Sequence, residues 1–283
     1  MRVFAYVASR RRPVSNTVRL LDLFVDQLRT QLAEPVDLKV ARPFEWDLRN
    51  CLGCEKCFNA GRCPLDRTDN FDRIKEEMLS ADLIILGTPV YAGMMSGDLK
   101  TFMDRLAYWC HLMRLAGRYG IPLVTASTNH ALETTATVAQ FLEYLGLCVP
   151  FTIPCNVDVP AMLEDPRFAH DRLGEYAGQL ANLYSVGTLT ASTYQQRYFT
   201  NLQRMYGDDS IPETVEVKFW RQHGYLQFTE FADLQAALRK VQQQSSDFIN
   251  NRATSEYAST DLDLEPMLSA NPGLVLGHTG PSA

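Results

Sequence analysis

Leu83-Ile84-Ile85-Leu86-Gly87, continued by Thr88-Pro89-Val90-Tyr91, is the stretch on which the fold turns. A run this short and wholly apolar suits a strand that helices cover on both faces. Val3 to Ala8, Leu123 to Ala126 and Cys148 to Ile153 read the same way, and Val36 to Ala41 is half-buried in pattern. Between these runs apolar residues recur three and four apart. Val18, Leu21, Phe24, Val25 and Leu28 share one face, and Ile74, Met78 and Leu79 another. Leu99, Phe102, Met103 and Leu106 make a third stripe, and Val138, Phe141, Leu142 and Leu145 a fourth. Strand alternating with helix in this way predicts right-handed crossovers and a parallel sheet. The expected fold is α/β: a doubly wound sheet of about five strands in the order 2-1-3-4-5.

An amphipathic helix around Asp171 to Ser185 closes that domain, taken as residues 1–186. Beyond it Tyr194 to Tyr206 and Phe231 to Ile249 look helical, and Glu213 to Phe228 shows some strand alternation. Residues 187–250 are read as a mainly helical appendage, with Trp220, His223, Tyr225 and Phe228 available to a substrate pocket or a subunit interface. Residues 251–283 are rich in Ser, Thr, Asn, Pro and Gly and are expected to form a loosely ordered, solvated tail.

The 283 residues are 46% hydrophobic and 21% charged, which is globular composition, and the formal net charge of −6 argues against a nucleic-acid binder. No apolar run approaches the ~20 residues that a membrane span needs. The start of the chain lacks the small-residue cleavage site of an export signal, so a cytoplasmic setting is expected. Four of the seven cysteines crowd into Cys51 to Cys63. A reducing compartment turns such a crowd toward metal or redox chemistry.

In an open parallel sheet, ligands bind outside the carboxyl ends of the strands. After the first strand, Ser9-Arg10-Arg11-Arg12-Pro13-Val14-Ser15-Asn16-Thr17 runs straight into a helix. Hydroxyls, an amide and guanidiniums there surround a helix N-terminus whose N–H groups suit a phosphate; a simple N-cap with solvated arginines is the alternative. After the third strand, Pro89-Val90-Tyr91-Ala92-Gly93 offers close backbone approach to a flat ligand, with Tyr91 to cover one ring face. After the fourth, Ser127-Thr128-Asn129-His130 places polar side chains at another helix start.

The order Ser9-x-Arg11…Ser15-Asn16-Thr17, then Ala81 to Tyr91 (ADLIILGTPVY), then Leu99 to Arg105 (LKTFMDR) resembles the flavodoxin-like NAD(P)H-dependent FMN reductase family, and within it the iron–sulfur flavoproteins. The resemblance covers about Arg2 to Ser185. It implies that Ser9, Arg11, Ser15, Asn16 and Thr17 hold the FMN phosphate. Pro89, Val90, Tyr91, Ala92 and Gly93 would line the isoalloxazine ring, and Ser127, Thr128 and Asn129 would touch its pyrimidine side. Two departures stand out. Arg10 occupies a position where the family usually has Pro, and Asn129-His130 replaces the usual glycines. The resemblance also implies a homodimer or homotetramer.

Cys51-x2-Cys54-x2-Cys57-x5-Cys63-Pro64 is the sharpest motif. Three thiols separated by two residues each, Gly53 and Gly61 for the tight turns, and a fourth Cys before Pro match iron–sulfur ligation, here a single [4Fe–4S] centre. Structural zinc, a disulfide pair and a loop that binds nothing are the alternatives. Cys110, Cys148 and Cys155 read as small core residues.

The expected activity is an FMN-dependent oxidoreductase with NAD(P)H or a ferredoxin as donor and a quinone, oxygen or small organic acceptor. An electron carrier serving a protein partner and a cluster-free NAD(P)H:FMN/quinone reductase are the alternatives. Tyr91, Asn129 and His130 are the residues expected to face a substrate. Tyr108, Trp109 and His111, further along the third helix, are candidates to cap the site from a partner subunit.

Overall fold

A computed structural model describes residues 1–158 and 162–252, with no side-chain description beyond residue 244. The tail expected at 251–283 therefore lies almost wholly outside the described residues. Strands β1 (Arg2–Val7), β2 (Asp37–Ala41), β3 (Leu83–Tyr91), β5 (Tyr119–Ala126) and β6 (Ile153–Asn156) form one parallel sheet in the order β2-β1-β3-β5-β6. Counted without the short antiparallel β4 (Met94–Met95), which pairs with the end of β3, this is the expected 2-1-3-4-5 order.

Alternation along each strand divides the core. Val3, Ala5 and Val7 of β1 pack with α1 (Asn16–Gln31) and α7 (Gly174–Val186) on one face. Phe4, Tyr6 and Ala8 pack on the other, against α3 (Phe71–Ser80), α4 (Gly97–Arg105), α5 (Ala107–Leu112) and α6 (Ala131–Tyr144). Of the expected α1 stripe Leu21, Phe24, Val25 and Leu28 are buried and Val18 is half-buried, with Leu20 buried beside them. Each fully buried side chain of this size contributes about 1.5–3 kcal/mol.

Four elements differ from expectation. The last strand is Ile153–Asn156, not Cys148 to Ile153; Cys148 makes only an isolated bridge to Tyr119. Between that bridge and the ladder that starts at Leu123 and Ile153 lie Pro122 and Pro150, neither of which has an N–H to donate. Glu213 to Phe228 is not a strand: Thr214 caps α9 (Val215–Gln222) by accepting from the Val217 N–H at 3.3 Å, and a 3-10 turn follows at Tyr225–Gln227. The third amphipathic stripe ends at Arg105, and Tyr108, Trp109 and His111 belong to the separate α5. A short helix, α2 (Lys56–Ala60), lies inside the cysteine loop.

The remaining helices, α8 (Thr193–Tyr206), α9 and α10 (Phe231–Arg252), share a core of their own around Phe199, Trp220, Tyr225 and Phe231. Trp220 is fully buried and donates its indole N–H to the His111 carbonyl at 2.9 Å. Buried Arg239 of α10 pairs with Asp82 at 2.9 Å, immediately before β3. The anchor is thus at the amino end of the sheet, away from the loops that follow β1, β3 and β5. Among the described residues no helix is long and apolar enough to cross a membrane.

Candidate functional site

The β1 loop enters α1 through Ser15, the N-cap, whose Oγ accepts from the Val18 N–H at 3.4 Å and donates to Ser9 Oγ at 2.9 Å. Ser9, Ser15 and Thr17 are buried and Asn16 half-buried. The first-turn N–H groups of this 16-residue helix point at the loop, where the helix dipole favours an anion. The three arginines of the loop separate. Arg10 leaves it, clasping Asp98 in the first turn of α4 through Nε and Nη2 at 2.8–3.1 Å. Arg12 stacks on Phe44, 3.4 Å from the ring centroid. Arg11 stays exposed at the helix mouth. The Arg10 position that departs from the family pattern therefore ties the β1 loop to α4.

Sequence reasoning missed Arg42. It follows β2 at the same sheet edge, donates from Nη2 to the Ser9 and Arg11 carbonyls at 2.9 Å each, and lies 4.5 Å from the Phe44 ring centroid. The signal was Arg42-Pro43-Phe44 directly after a strand.

The segment expected as a simple loop after β3 is a hairpin. β3 continues to Tyr91, pairs Val90 with Met95 and Tyr91 with Met94, and turns on Ala92 and Gly93 at φ 52° and 77°. Two successive positive φ values are what a two-residue hairpin turn with strand-matching twist requires. Ser96 pins its base: its N–H donates to Thr88 Oγ1 at 3.0 Å and its hydroxyl to the Ala8 carbonyl at 2.8 Å. The hairpin tip reaches the β5 loop, where a Cβ added to Gly93 would stand 3.6 Å from His130 Cδ2. His130 is the N-cap of α6 with φ 62°, and Ser127 to His130 are all exposed. Tyr91 and Met94 are also exposed beside them. Thr17 and Thr125 join the other pair of loops from below, Oγ1 to Oγ1 at 2.7 Å.

The structure thus brings the residues after β1, β3 and β5 to one edge. It does not bring Tyr108 and Trp109 there: both are buried in the core beside α4. His111 instead faces Glu216 of α9 and the ring of Phe58. Burial lowers its pKa, with Glu216 opposing.

Three buried polar atoms at or near this edge have no partner among the described residues: Arg42 Nε, Thr134 Oγ1 in the first turn of α6, and Asn156 Oδ1 at the end of β6. Buried groups of this kind normally have a partner. Arg42 stands against the Ser9 carbonyl beside the buried Ser9–Ser15 pair, while Thr134 and Asn156 follow β5 and end β6 at the same edge of the sheet, so the residues present fit a ligand that carries a phosphate and a flat, hydrogen-bonding ring.

The four clustered cysteines are free thiols; Cys51 and Cys54 are exposed, Cys57 and Cys63 half-buried. Glu55 and Gly61, flanking α2, have positive φ. Burial, opposed by the Phe58 backbone N–H, pushes the Cys57 thiol up, and the neighbouring Cys63 and Cys51 add to the shift. The donor set suits a soft metal or an iron–sulfur centre. Among the described residues, however, no three His, Cys, Asp or Glu side chains are gathered closely enough to hold a metal ion. The loop leans on the appendage, where a Cβ on Gly61 would meet Val215 Cγ1 at 3.2 Å.

A parallel sheet in this order, with a phosphate-ready helix after β1 and a hairpin after β3 at the same edge, defines a flavodoxin-like protein. Residues 1–156 match the family model of NADPH-dependent FMN reductases, and the chain belongs to that family of flavin-dependent oxidoreductases. An iron–sulfur flavoprotein of Methanocaldococcus jannaschii is 36% identical over 127 residues, 44% of this chain and 62% of that protein. An iron–sulfur flavoprotein of Archaeoglobus fulgidus is 23% identical over 76% of this chain and 96% of its own length. The chain thus spans less than two thirds of the first relative and nearly all of the second. A structure of RosB with a bound 8-demethyl-8-formylriboflavin-5'-phosphate intermediate superposes with a TM-score of 0.51 at 16% identity, over 75% of this chain and 89% of that one. An oxidoreductase from Corynebacterium diphtheriae gives 0.50 at 19% identity, over 65% and 97%. At such identities the two structures show the fold.

Proposed function

We propose that this chain is an FMN-dependent oxidoreductase that passes electrons from NAD(P)H or a ferredoxin to a small organic, quinone or oxygen acceptor. The observation that carries this is the approach of Gly93 to His130, which sets the exposed Tyr91 beside Ser127 to Asn129 at the edge where α1 opens. Ser9, Arg11, Ser15, Asn16 and Thr17 then hold the phosphate. Pro89 to Gly93 flank the ring, and Ser127, Thr128 and Asn129 hydrogen-bond its pyrimidine side. Tyr91, Asn129 and His130 orient the substrate over the ring and exclude water there. Bound FMN supplies hydride or single-electron chemistry that no side chain provides. Assembly as a homodimer or homotetramer in the cytoplasm belongs to the same proposal; exposed Tyr91, Met94, Leu132 and Val14 on the ligand edge support it.

Cys51, Cys54, Cys57 and Cys63 are proposed to ligate a [4Fe–4S] centre. Their free thiols, their spacing and the iron–sulfur flavoproteins among the relatives support this. A second possibility, a cluster-free NAD(P)H:FMN/quinone reductase, draws on the ungathered arrangement of the thiols.

The test is iron, sulfide and FMN analysis of protein purified without oxygen, followed by NADH and NADPH oxidation. One flavin with about four irons is expected. Flavin without iron would establish the second possibility, and protein that takes up no FMN would overturn both.

A further inference from the structure

Arg105, the last residue of α4, has a fully buried side chain, yet both its ion-pair partners, Asp66 and Asp69, lie on the stem that leaves the cysteine loop, and it also reaches a carbonyl on the stem that enters it. Its Nη1 donates to the Arg49 carbonyl at 3.0 Å and to Asp69 Oδ2. Its Nη2 donates to Asp66 Oδ1 at 2.8 Å and Asp69 Oδ1 at 3.2 Å. Asp69 Oδ2 in turn accepts from the Arg49 N–H at 3.1 Å. Asp66 has a second partner, Lys75 Nζ at 2.6 Å, and that ammonium sits among the rings of Phe71, Tyr108 and Trp109. Arg49 stands two residues before Cys51; Asp66 and Asp69 stand three and six residues after Cys63. One planar guanidinium therefore closes the loop at its neck.

We propose that Arg105 is a positioning residue for the thiol set: by fixing the Arg49 stem against the Asp66–Asp69 stem, it sets where Cys63 stands relative to Cys51, Cys54 and Cys57. This rests on the metal-ligating role proposed above for those cysteines. Three observations converge on it. The loop has little core of its own, since no residue of α2 is buried. Replacing a buried set of two cations and two carboxylates by apolar side chains is often neutral for stability, so the set is better explained by what it holds in place. The fork geometry also matters: the guanidinium makes four hydrogen bonds from two nitrogens, holding both Asp69 oxygens, Asp66 and the Arg49 carbonyl, whereas an ammonium has three N–H groups on a single atom.

The test compares wild type with Arg105→Lys and, should that variant fail to fold, Asp69→Asn. Each is purified anaerobically, reconstituted with ferrous iron and sulfide, and assayed for iron per flavin and for the midpoint potential of the iron centre. Limited proteolysis between residues 49 and 69 of the iron-free protein is the second readout. The expected result is wild-type FMN stoichiometry with a several-fold loss of iron or a displaced potential, and cleavage within the loop that wild type resists. Unchanged iron, potential and protease resistance would overturn the proposal. Wild type that takes up no iron would remove the metal-ligating role and with it the positioning of ligands. The cleavage pattern would then show separately whether Arg105 still clamps the loop.

Discussion

Thr17 and Thr125 share a hydrogen bond, 2.7 Å between their hydroxyl oxygens, in the buried floor between the start of α1 and the end of β5. Removing one hydroxyl leaves the other buried and unpartnered, at a cost of ~1–3 kcal/mol; removing both together is nearly neutral. Thr125→Val should therefore melt earlier than the Thr17→Val/Thr125→Val double variant, which thermal unfolding of the three proteins checks. Equal losses in the single and double variants would show that the orphaned hydroxyl carries no penalty of its own.

Gly93 takes φ 77° at the hairpin tip, and the nearest atoms to an added Cβ belong to the His130 ring at ordinary contact distance. Space is available but the backbone conformation is costly, so Gly93→Ala should lose about 1–2 kcal/mol of stability. Its strained turn should also release FMN faster, read as recovery of free-flavin fluorescence on dilution. A wild-type release rate would separate this turn from the ring.

Asp69 gives a pH signature. Burial would raise its carboxyl, but hydrogen bonds from Arg105 and from the Arg49 N–H more than offset that and hold it below the ordinary carboxylate range. A folded pKa below the unfolded one means that its contribution is full above about pH 4 and is lost as pH falls through the lowered value. Denaturant midpoints of wild type should drop across that acid window. Asp69→Asn should start lower at neutral pH and fall less steeply.

Asp82 holds α10 through Arg239 and also accepts from the Arg2 N–H at 2.8 Å. Breaking a buried pair by removing one partner costs ~3–5 kcal/mol. Asp82→Asn is expected to destabilise by that order while leaving FMN binding intact, because the pair lies at the amino end of the sheet. Calorimetry and a flavin titration on the same sample check both halves.

Cys54 is exposed and belongs to no core. In the iron-free protein Cys54→Ala should change stability by no more than about 0.5 kcal/mol. Trp220→Ala, which empties a fully buried indole site, should cost ~3–5 kcal/mol. Urea midpoints rank the two.

The sheet was legible because buried parallel strands leave short apolar runs. Its last strand was misplaced because Val149 is followed by Pro150, and apolar character alone does not say whether an N–H is available to pair. Glu213 to Phe228 misled for a related reason. Val215, Val217 and Phe219 alternate with charges, but Thr214 caps a helix and the residues it buries are Glu216, Val217 and Trp220. At the ligand edge the loops and their polar residues could be read directly. Arg10 and Arg12 could not be told from Arg11, because the partners that draw them away, Asp98 and Phe44, lie 88 and 32 positions distant and meet them only in the fold. The same holds for Arg105, whose sequence context shows a helix end and nothing of the loop it closes.

The Asp82–Arg239 anchor has an evolutionary consequence. The ligand loops hang from one end of the sheet and the C-terminal helices are moored at the other, so lineages are free to trade those helices without rewriting the chemistry. Sequence drift should accumulate in α8 and α10, and chimeras joined near residue 187 should keep their flavin. The Gly61–Val215 contact limits that freedom: whatever helix replaces α9 must leave room beside the cysteine loop, which couples the choice of appendage to that loop after all.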